Sequence, residues 1–416
     1  MSQAVRILLL SLYFAPDIAA NAVMMTGLAE ELEALGHQVT VVTAVPHYAS
    51  NVIDPQYRGR LIQQDKHKGI QVIRVYLYTS LDKKRFLVRL LNYVSFNVLS
   101  TLAGIWAGSQ DIILAPSPPI TIGLSAWLIS RLKGIGYIYN VQDIYPDIAI
   151  RLGVLTHPAL IRFACWMERF VYSKAAAVTV LSEGFRRNLL AKGVPTEKLT
   201  VISNFVDVDF IRPLPKDNTF SRQHNLHNRF VVMYAGNIGL SQGLETLLEA
   251  ARILQDLADL RILIIGNGSA KPGLEVQAQA MGLTNVEFLP FQPRETLPDM
   301  YATADVSLVL LKQGIGAESV PSKAYTILAS GRPLIAAVDE QAETRRLVAE
   351  SQCGIVVPPE EAQTLADAIR QMYHAPVVRA EMGQRGRASV SAHYTPQVVA
   401  SQYDALLKLV VTGKNS

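Results

Sequence analysis

Cysteine is nearly absent from this 416-residue chain: Cys165 and Cys353 are the only two, far apart and outside any CxxC or Cys/His cluster. Their scarcity rules out a disulfide framework and argues against a structural zinc, so a reducing cytoplasm is the expected compartment. Charge is sparse at 18%, against 50% hydrophobic residues, a balance that can bury large cores and excludes disorder as the main state. Long apolar runs are missing despite a mean hydropathy of +0.20. The uncharged stretch 90–110 is broken by Asn92, Ser95, Asn97 and Ser100, and the stretch 112–130 by Pro116, Pro118 and Pro119. Neither reads as the ~20 apolar residues of a spanning helix. The N-terminal run to Leu12 has no small-residue cleavage site and reads as a buried first strand. No basic stripe is interleaved with aromatics, which speaks against nucleic acid as a partner. The Gly-x-Gly-x-x-Gly turn of a nicotinamide dehydrogenase is also lacking; Ala15-Pro-Asp-Ile-Ala-Ala20 stands in its place.

What is present is enough length for two domains of about 200 residues each. Residues 1–206 carry a net charge of +7 and residues 207–416 carry −3, which suggests a different partner for each half. Short apolar runs alternate with amphipathic stretches throughout, the pattern of repeated βαβ units. The expected strands in the first half are 6–12, 38–43, 71–75, 111–114, 137–141 and 177–181; those in the second are 230–234, 261–265, 286–288, 306–310, 333–337 and 354–357. Helical spacing from Ala22 to Leu35 stops at Gly36, a helix-ending residue. The expectation is an α/β fold of two doubly wound, Rossmann-like domains facing a ligand cleft. Residues 1–205 form the first and 206–395 the second; the amphipathic segment 396–416 is a C-terminal helix that packs back on the first. A polar, proline-containing linker runs from the boundary to Arg229, and Trp106 and Trp127 are expected in the core.

Four segments at expected strand ends carry polar chemistry. In Tyr234-Ala-Gly236-Asn237-Ile-Gly239-Leu-Ser-Gln242-Gly243 a glycine turn leads into a helix. Such a turn either aims N–H groups and a helix dipole at a phosphate or is an ordinary tight connection. Ile265-Gly266-Asn-Gly268 repeats the device one βα unit later, where glycines let a ligand approach the backbone. In the segment from Gly316 to Pro333, Pro321 or Ser322 starts a helix, with Ser322 and Lys323 in its first turn. N–H groups, a hydroxyl and an ammonium then converge on one anion, and Glu318 precedes them as an acceptor for sugar hydroxyls. In Tyr139-Asn-Val-Gln142-Asp143-Ile-Tyr-Pro-Asp147, Asp143 could orient an acceptor or stabilise positive charge developing on a sugar, whereas Asp147 reads as a cap or turn residue. Lys83-Lys84-Arg85 opens an apolar, helix-like stretch that is either a membrane-surface helix or a core helix with a solvated start.

Taken in order, these residues resemble a retaining nucleotide-sugar glycosyltransferase of family four, with the GT-B fold. The resemblance runs through Phe14-Ala-Pro16, Gly36-His37 to Thr43, Val201-Ile-Ser-Asn204, Ala304-Asp305-Val306 and Gly354 to Pro359. Pro46-His47-Tyr48, the Val-Gln-Asp-Ile-Tyr-Pro stretch, Gly236-Asn237 with Gln242-Gly243, and Pro321-Ser322-Lys323 are similar to the exopolysaccharide, O-antigen and colanic-acid branch, which includes enzymes likened to N-acetyl-fucosaminyl transferases. The resemblance implies that the second domain binds a nucleoside diphosphate sugar, UDP favoured over GDP. It implies that the first domain binds the acceptor, a glycan or a polyprenyl-diphosphate-linked sugar, with no metal or other cofactor. A polyprenyl-diphosphate-linked acceptor at the inner face of the membrane would explain both the basic Lys83-Lys84-Arg85 start and the +7 of the first half. Glu318 matches the first of the family's two glutamates, which contacts the donor sugar; the second, which holds ribose hydroxyls, falls on Thr326. The family's phosphate-binding arginine and lysine fall on Asn237 and Gln242, its glycine pair on Ala19-Ala20-Asn21, and its histidine before Asp143 on Gln142. Lys323 is the residue left to supply the missing positive charge. Two alternatives keep the fold: a nucleotide-sugar epimerase, or a non-catalytic sugar-binding assembly partner.

Overall fold

The computed structural model describes residues 4–47, 53, 55–79, 86–316 and 322–413, with side chains from residue 91 in the helix that begins at Phe86. The chain divides into two units, residues 1–204 with 396–416, and residues 205–395. Each is built on its own mainly parallel sheet.

The first unit's sheet comprises β1 (Arg6–Leu10), β2 (Gln38–Ala44), β3 (Ile62–His67), β4 (Ile70–Val75), β5 (Ile112–Pro116), β6 (Gly136–Val141), β7 (Ala177–Val180) and β8 (Leu199–Val201). They lie in the order β3-β4-β2-β1-β5-β6-β7-β8, with only β3 antiparallel. β1, β5 and β6 are apolar along nearly their whole length because helices cover both faces. Right-handed crossovers place α2 (Phe86–Trp106), α3 (Ile122–Lys133), α5 (Pro158–Lys174) and α6 (Glu183–Ala191) on one face, and α1 (Ala20–Ala34) on the other. The short α4 (Asp147–Arg151) precedes α5. The α1 helix ends at Gly36, whose φ of 90° lies in the left-handed region that an L side chain resists.

The last helix of the chain, α15 (Pro396–Thr412), packs on α1 within this first unit. His37 meets Asp404 at 2.8 Å, and the buried Tyr403 hydroxyl accepts from Asn140 Nδ2 at 2.9 Å and lies 3.3 Å from Thr179 Oγ1. Tyr403→Phe leaves part of that buried amide unsatisfied. It should lower unfolding stability by about 1–2 kcal/mol, read as a reduced urea midpoint at constant slope.

The second unit's sheet runs β11-β10-β9-β12-β13-β14, all parallel: β9 (Phe230–Ala235), β10 (Leu260–Ile265), β11 (Val286–Leu289), β12 (Val306–Leu310), β13 (Leu334–Ala337) and β14 (Gly354–Val357). One face is covered by α8 (Glu245–Ile253), α9 (Lys271–Ala280) and α13 (Ala362–His374), whose Leu247, Leu274 and Ile369 share a core with Val232 and Ile264. The other is covered by α7 (Thr219–Gln223), α10 (Leu297–Thr303), α11 (Lys323–Ala329), α12 (Glu343–Ser351) and α14 (Pro376–His393).

Two expectations are corrected. The polar stretch up to Arg229 expected as an interdomain linker packs into the second unit: Phe220 and Leu226, like Val206 and Ile211 before them, are buried in the second core, and Arg387 holds the Val208 and Ile211 carbonyls at 2.9 Å. Spaced single apolar residues among polar ones hid that packing. Trp106 is not in the core either; it is 73% exposed at the end of α2. Trp127 is partly buried, edge-on to Phe170 at 5.0 Å. Among the described residues no helix is long and apolar enough to cross a membrane.

Candidate active site

In a doubly wound sheet, ligands meet the carboxyl ends of the strands where the winding direction reverses. In the second unit that point lies between β9 and β12. The turn after β9 begins at Gly236, with φ 147°, and the turn after β10 at Gly266, with φ 145°. The two are stitched together: Gly236 N donates to the Ile265 carbonyl and Ile238 N to the Asn267 carbonyl, each at 2.9 Å.

This stitching gives Gly266 and Gly268 a reason that needs no ligand. A Cβ on Gly266 would stand 1.9 Å from the Gly236 carbonyl oxygen, and one on Gly268 would stand 2.2 Å from that of Ile238. The space on the Cβ side of both glycines is filled by the neighbouring turn. Gly266→Ala should therefore cost about 3–5 kcal/mol, from collision and left-handed strain together, and should appear as a large drop in melting temperature.

Lys323, the first residue of α11 after β12, reaches this turn from the other side of the reversal. Its Nζ donates to Gln242 Oε1 at 2.6 Å and to the Tyr234 hydroxyl at 2.9 Å, and lies 4.2 Å from the centre of the Tyr234 ring. The Tyr234 hydroxyl in turn donates to the Asn237 carbonyl at 2.6 Å. Burial pushes the Lys323 ammonium down to about 7. Gln242 thus holds the lysine with its carbonyl, while its Nε2 donates to Ser241 Oγ at 3.2 Å. The Asn237 side chain is exposed at the turn. Ser322 is the N-cap residue of α11, but its hydroxyl caps nothing, and Thr326 sits half-buried one turn further on. Glu318 and Pro321 lie outside the described residues, as do Tyr48 and Lys83 to Arg85.

In the first unit, Asp143 follows β6. Its neighbour Gln142 is locked: Nε2 donates to Asn140 Oδ1 at 2.7 Å, Oε1 accepts from Asn204 Nδ2 at 2.9 Å, and its backbone N donates to Ser117 Oγ at 3.2 Å. The Asp143 carboxyl pairs with no side chain among the described residues, and burial pushes it up to about 7. Asp147 opens α4 and is structural, accepting from Lys192 Nζ at 2.8 Å and Asn188 Nδ2 at 3.2 Å. Lys192 is shared with the buried Glu168 at 2.6 Å, whose carboxyl is raised by burial against the lysine's pull. This network pins the loop that carries Asp143. Sequence reasoning missed it because Glu168 and Lys192 stand in separate helical stretches with no motif between them.

Comparison with known proteins agrees with this layout. Residues 21–204 match the glycosyl transferase 4-like domain, and residues 216–389 match the domain described as glycosyl transferases group 1. The chain is 28% identical over 376 residues to WcaI of Escherichia coli K12, described as a colanic acid biosynthesis glycosyl transferase; the match covers 88% of this chain and 91% of that one. Among solved structures, sucrose-phosphate synthase from Thermosynechococcus elongatus superposes with a TM-score of 0.77 at 19% identity, covering 98% and 100% of the two chains. HepE of Anabaena, in complex with UDP-glucose, superposes with a TM-score of 0.74 at 17% identity, covering 97% and 99%.

Proposed function

The chain belongs to the family-four glycosyltransferases of GT-B fold, with relatives in polysaccharide biosynthesis, and on that premise we propose that it is a retaining transferase acting from a UDP-sugar on a polyprenyl-linked or glycan acceptor. One observation carries the reading. The Lys323 ammonium stands at the turn where the family's two phosphate-binding cations are replaced by Asn237 and Gln242, and Gln242 itself grips it at 2.6 Å. A cation lost from the turn is returned to it from the helix that follows the neighbouring strand across the reversal.

The leaving nucleoside diphosphate gathers negative charge while the sugar becomes oxocarbenium-like. Lys323, with the backbone around Gly236 and Ser322, stabilises that diphosphate by donors aimed in advance. Glu318 takes the hydroxyls of the donor sugar, and Thr326 gives the ribose a shorter, neutral hydrogen bond. Asp143 acts ionised, orienting the acceptor hydroxyl or stabilising charge on the sugar ring. No cofactor beyond the nucleotide sugar is called for. The UDP-glucose held by HepE and the colanic acid biosynthesis named for WcaI favour UDP and a surface polysaccharide. The net +7 of residues 1–206 favours work at the inner face of an anionic membrane.

A thermal-shift series with UDP, GDP, ADP and NAD tests the donor. Ligand at 100 times its dissociation constant adds ~2.7 kcal/mol, a visible rise in melting temperature. UDP is expected to give the rise, and a rise with NAD alone overturns the reading. UDP released from a donor only when acceptor is added marks a transferase. Release without acceptor marks an epimerase, and silence towards every nucleotide marks a non-catalytic partner.

A further inference from the structure

We infer that the outer surface of α2, α3 and α5 is a docking face for an anionic lipid bilayer. This deepens the membrane contact proposed above; it rests on that reading for its purpose and on the surface alone for its chemistry.

Helices covering a sheet ordinarily turn an apolar stripe inward and a polar one outward. The α2 helix is apolar on both sides. Phe96, Ala103 and Gly104 are buried, while Leu91, Val94, Val98, Leu102 and Trp106 are 52%, 48%, 54%, 39% and 73% exposed. Their spacing of three to four residues puts them in one outward stripe. On α3, which packs beside α2, Leu128 and Leu132 continue the surface one turn apart, the latter 62% exposed. On α5, which packs beside α3, Phe163 and Trp166 are 57% and 55% exposed. An aromatic chain joins the last two helices: Phe163 stacks on Trp166 at 5.8 Å, Trp166 on Phe170 at 5.6 Å, and Phe170 meets Trp127 at 5.0 Å. A contiguous surface of this kind is more than the scattered exposed apolar residues of an ordinary protein exterior.

Charge decides the occupant. Neither α2 nor α3 contains an acidic residue, and the only one on α5, Glu168, is buried against Lys192. The exposed charges of α3 and α5 are Arg131, Arg162, Arg169 and Lys174, all positive. A second copy docked through this face would bring like charges together. An anionic bilayer satisfies both components. Apolar side chains enter the acyl boundary, indoles lie at the headgroup level, and arginine and lysine stems carry their charges to the phosphates.

The test is co-sedimentation of the full chain with phosphatidylcholine vesicles with and without phosphatidylglycerol, at low and high salt. Binding is expected only with the anionic lipid and should weaken as salt screens it. Val98→Asp and Leu132→Asp should each lower partitioning by about tenfold or more, with the melting temperature unchanged because both sites are exposed. Val276→Asp, 68% exposed in the second unit, should have no effect. Absent binding to anionic vesicles, or binding indifferent to both substitutions, overturns the inference. So does a dimer in solution that both variants dissolve, which would assign the face to a second copy. A UDP thermal shift on the same proteins separates the two readings. Loss of the UDP response in the unaltered chain strikes the donor site and leaves the docking face standing, and failed vesicle binding with an intact response does the reverse.

Discussion

Lys323→Ala is expected to abolish the UDP-dependent rise in melting temperature while leaving the ligand-free protein as stable as before, or more so. The ammonium is held down to about 7 by burial, with two neutral oxygens at 2.6 and 2.9 Å as its partners. A diphosphate would give it a full counter-charge, and removing one charge-assisted contact of that kind costs about 2–3 kcal/mol, roughly 30- to 150-fold in affinity. Without ligand the same charge is a burden. Between about 7 and the ordinary lysine value of 10.5 the folded chain has released a proton that the unfolded chain keeps. Raising pH across that window therefore adds stability, and below about 7 the cost of burying the charge is complete. Affinity for UDP runs the other way, weakening above the lysine's value by up to the same roughly 30- to 150-fold because the anion loses the ammonium. Calorimetric titration of UDP across that window, in both proteins, checks the two slopes together. A Lys323→Ala protein that still responds fully to UDP would place the donor elsewhere.

Asp143→Asn is expected to reduce turnover by about 10²–10⁴-fold with the UDP thermal shift intact, the signature of a group that acts in the reaction but not on the donor phosphates. Burial raises this carboxyl to about 7 from the ordinary 3.8. The ionised form is the useful one, so kcat/KM should climb through pH 7 as the carboxyl loses its proton. It should fall again as Lys323 loses its own. The profile is a narrow bell, whose two apparent values belong to the rate and not to either residue alone. The Asn variant should lose the rising limb and keep the falling one. Its stability offers a second readout. Between 3.8 and about 7 the folded chain holds a proton that the unfolded chain has lost, so native stability declines with rising pH across that window. The Asn variant should not share the decline. A turnover loss accompanied by loss of UDP binding, or a rising limb that survives, would remove Asp143 from the reaction.

Much of both sheets is legible in the order of residues. Strands covered on both faces must be apolar throughout, so β1, β5, β9 and β10 announce themselves, and Gly36 and Gly236 mark where the chain needs a left-handed turn. The antiparallel edge strand β3, Ile-Gln-Gln-Asp-Lys-His, escapes notice because an edge strand keeps polar residues that resemble a loop. The residues of the site are legible as polar groups at strand ends. What each one touches is not. Gly266 and Gly268 read as glycines of a strand-end turn, and only the structure shows that the neighbouring turn occupies the space their missing Cβ atoms leave.

Local periodicity and turn chemistry are properties of short stretches, so the sequence by itself determined the two α/β domains and the polar residues at their strand ends. The tertiary structure alone decided what the Lys323 ammonium touches. Lys323 and Gln242 stand 81 positions apart and meet because β12 is laid beside β9 at the reversal of the sheet. It alone decided, too, that Trp106 faces outward, since spacing shows that a helix has stripes but not which stripe its neighbours cover.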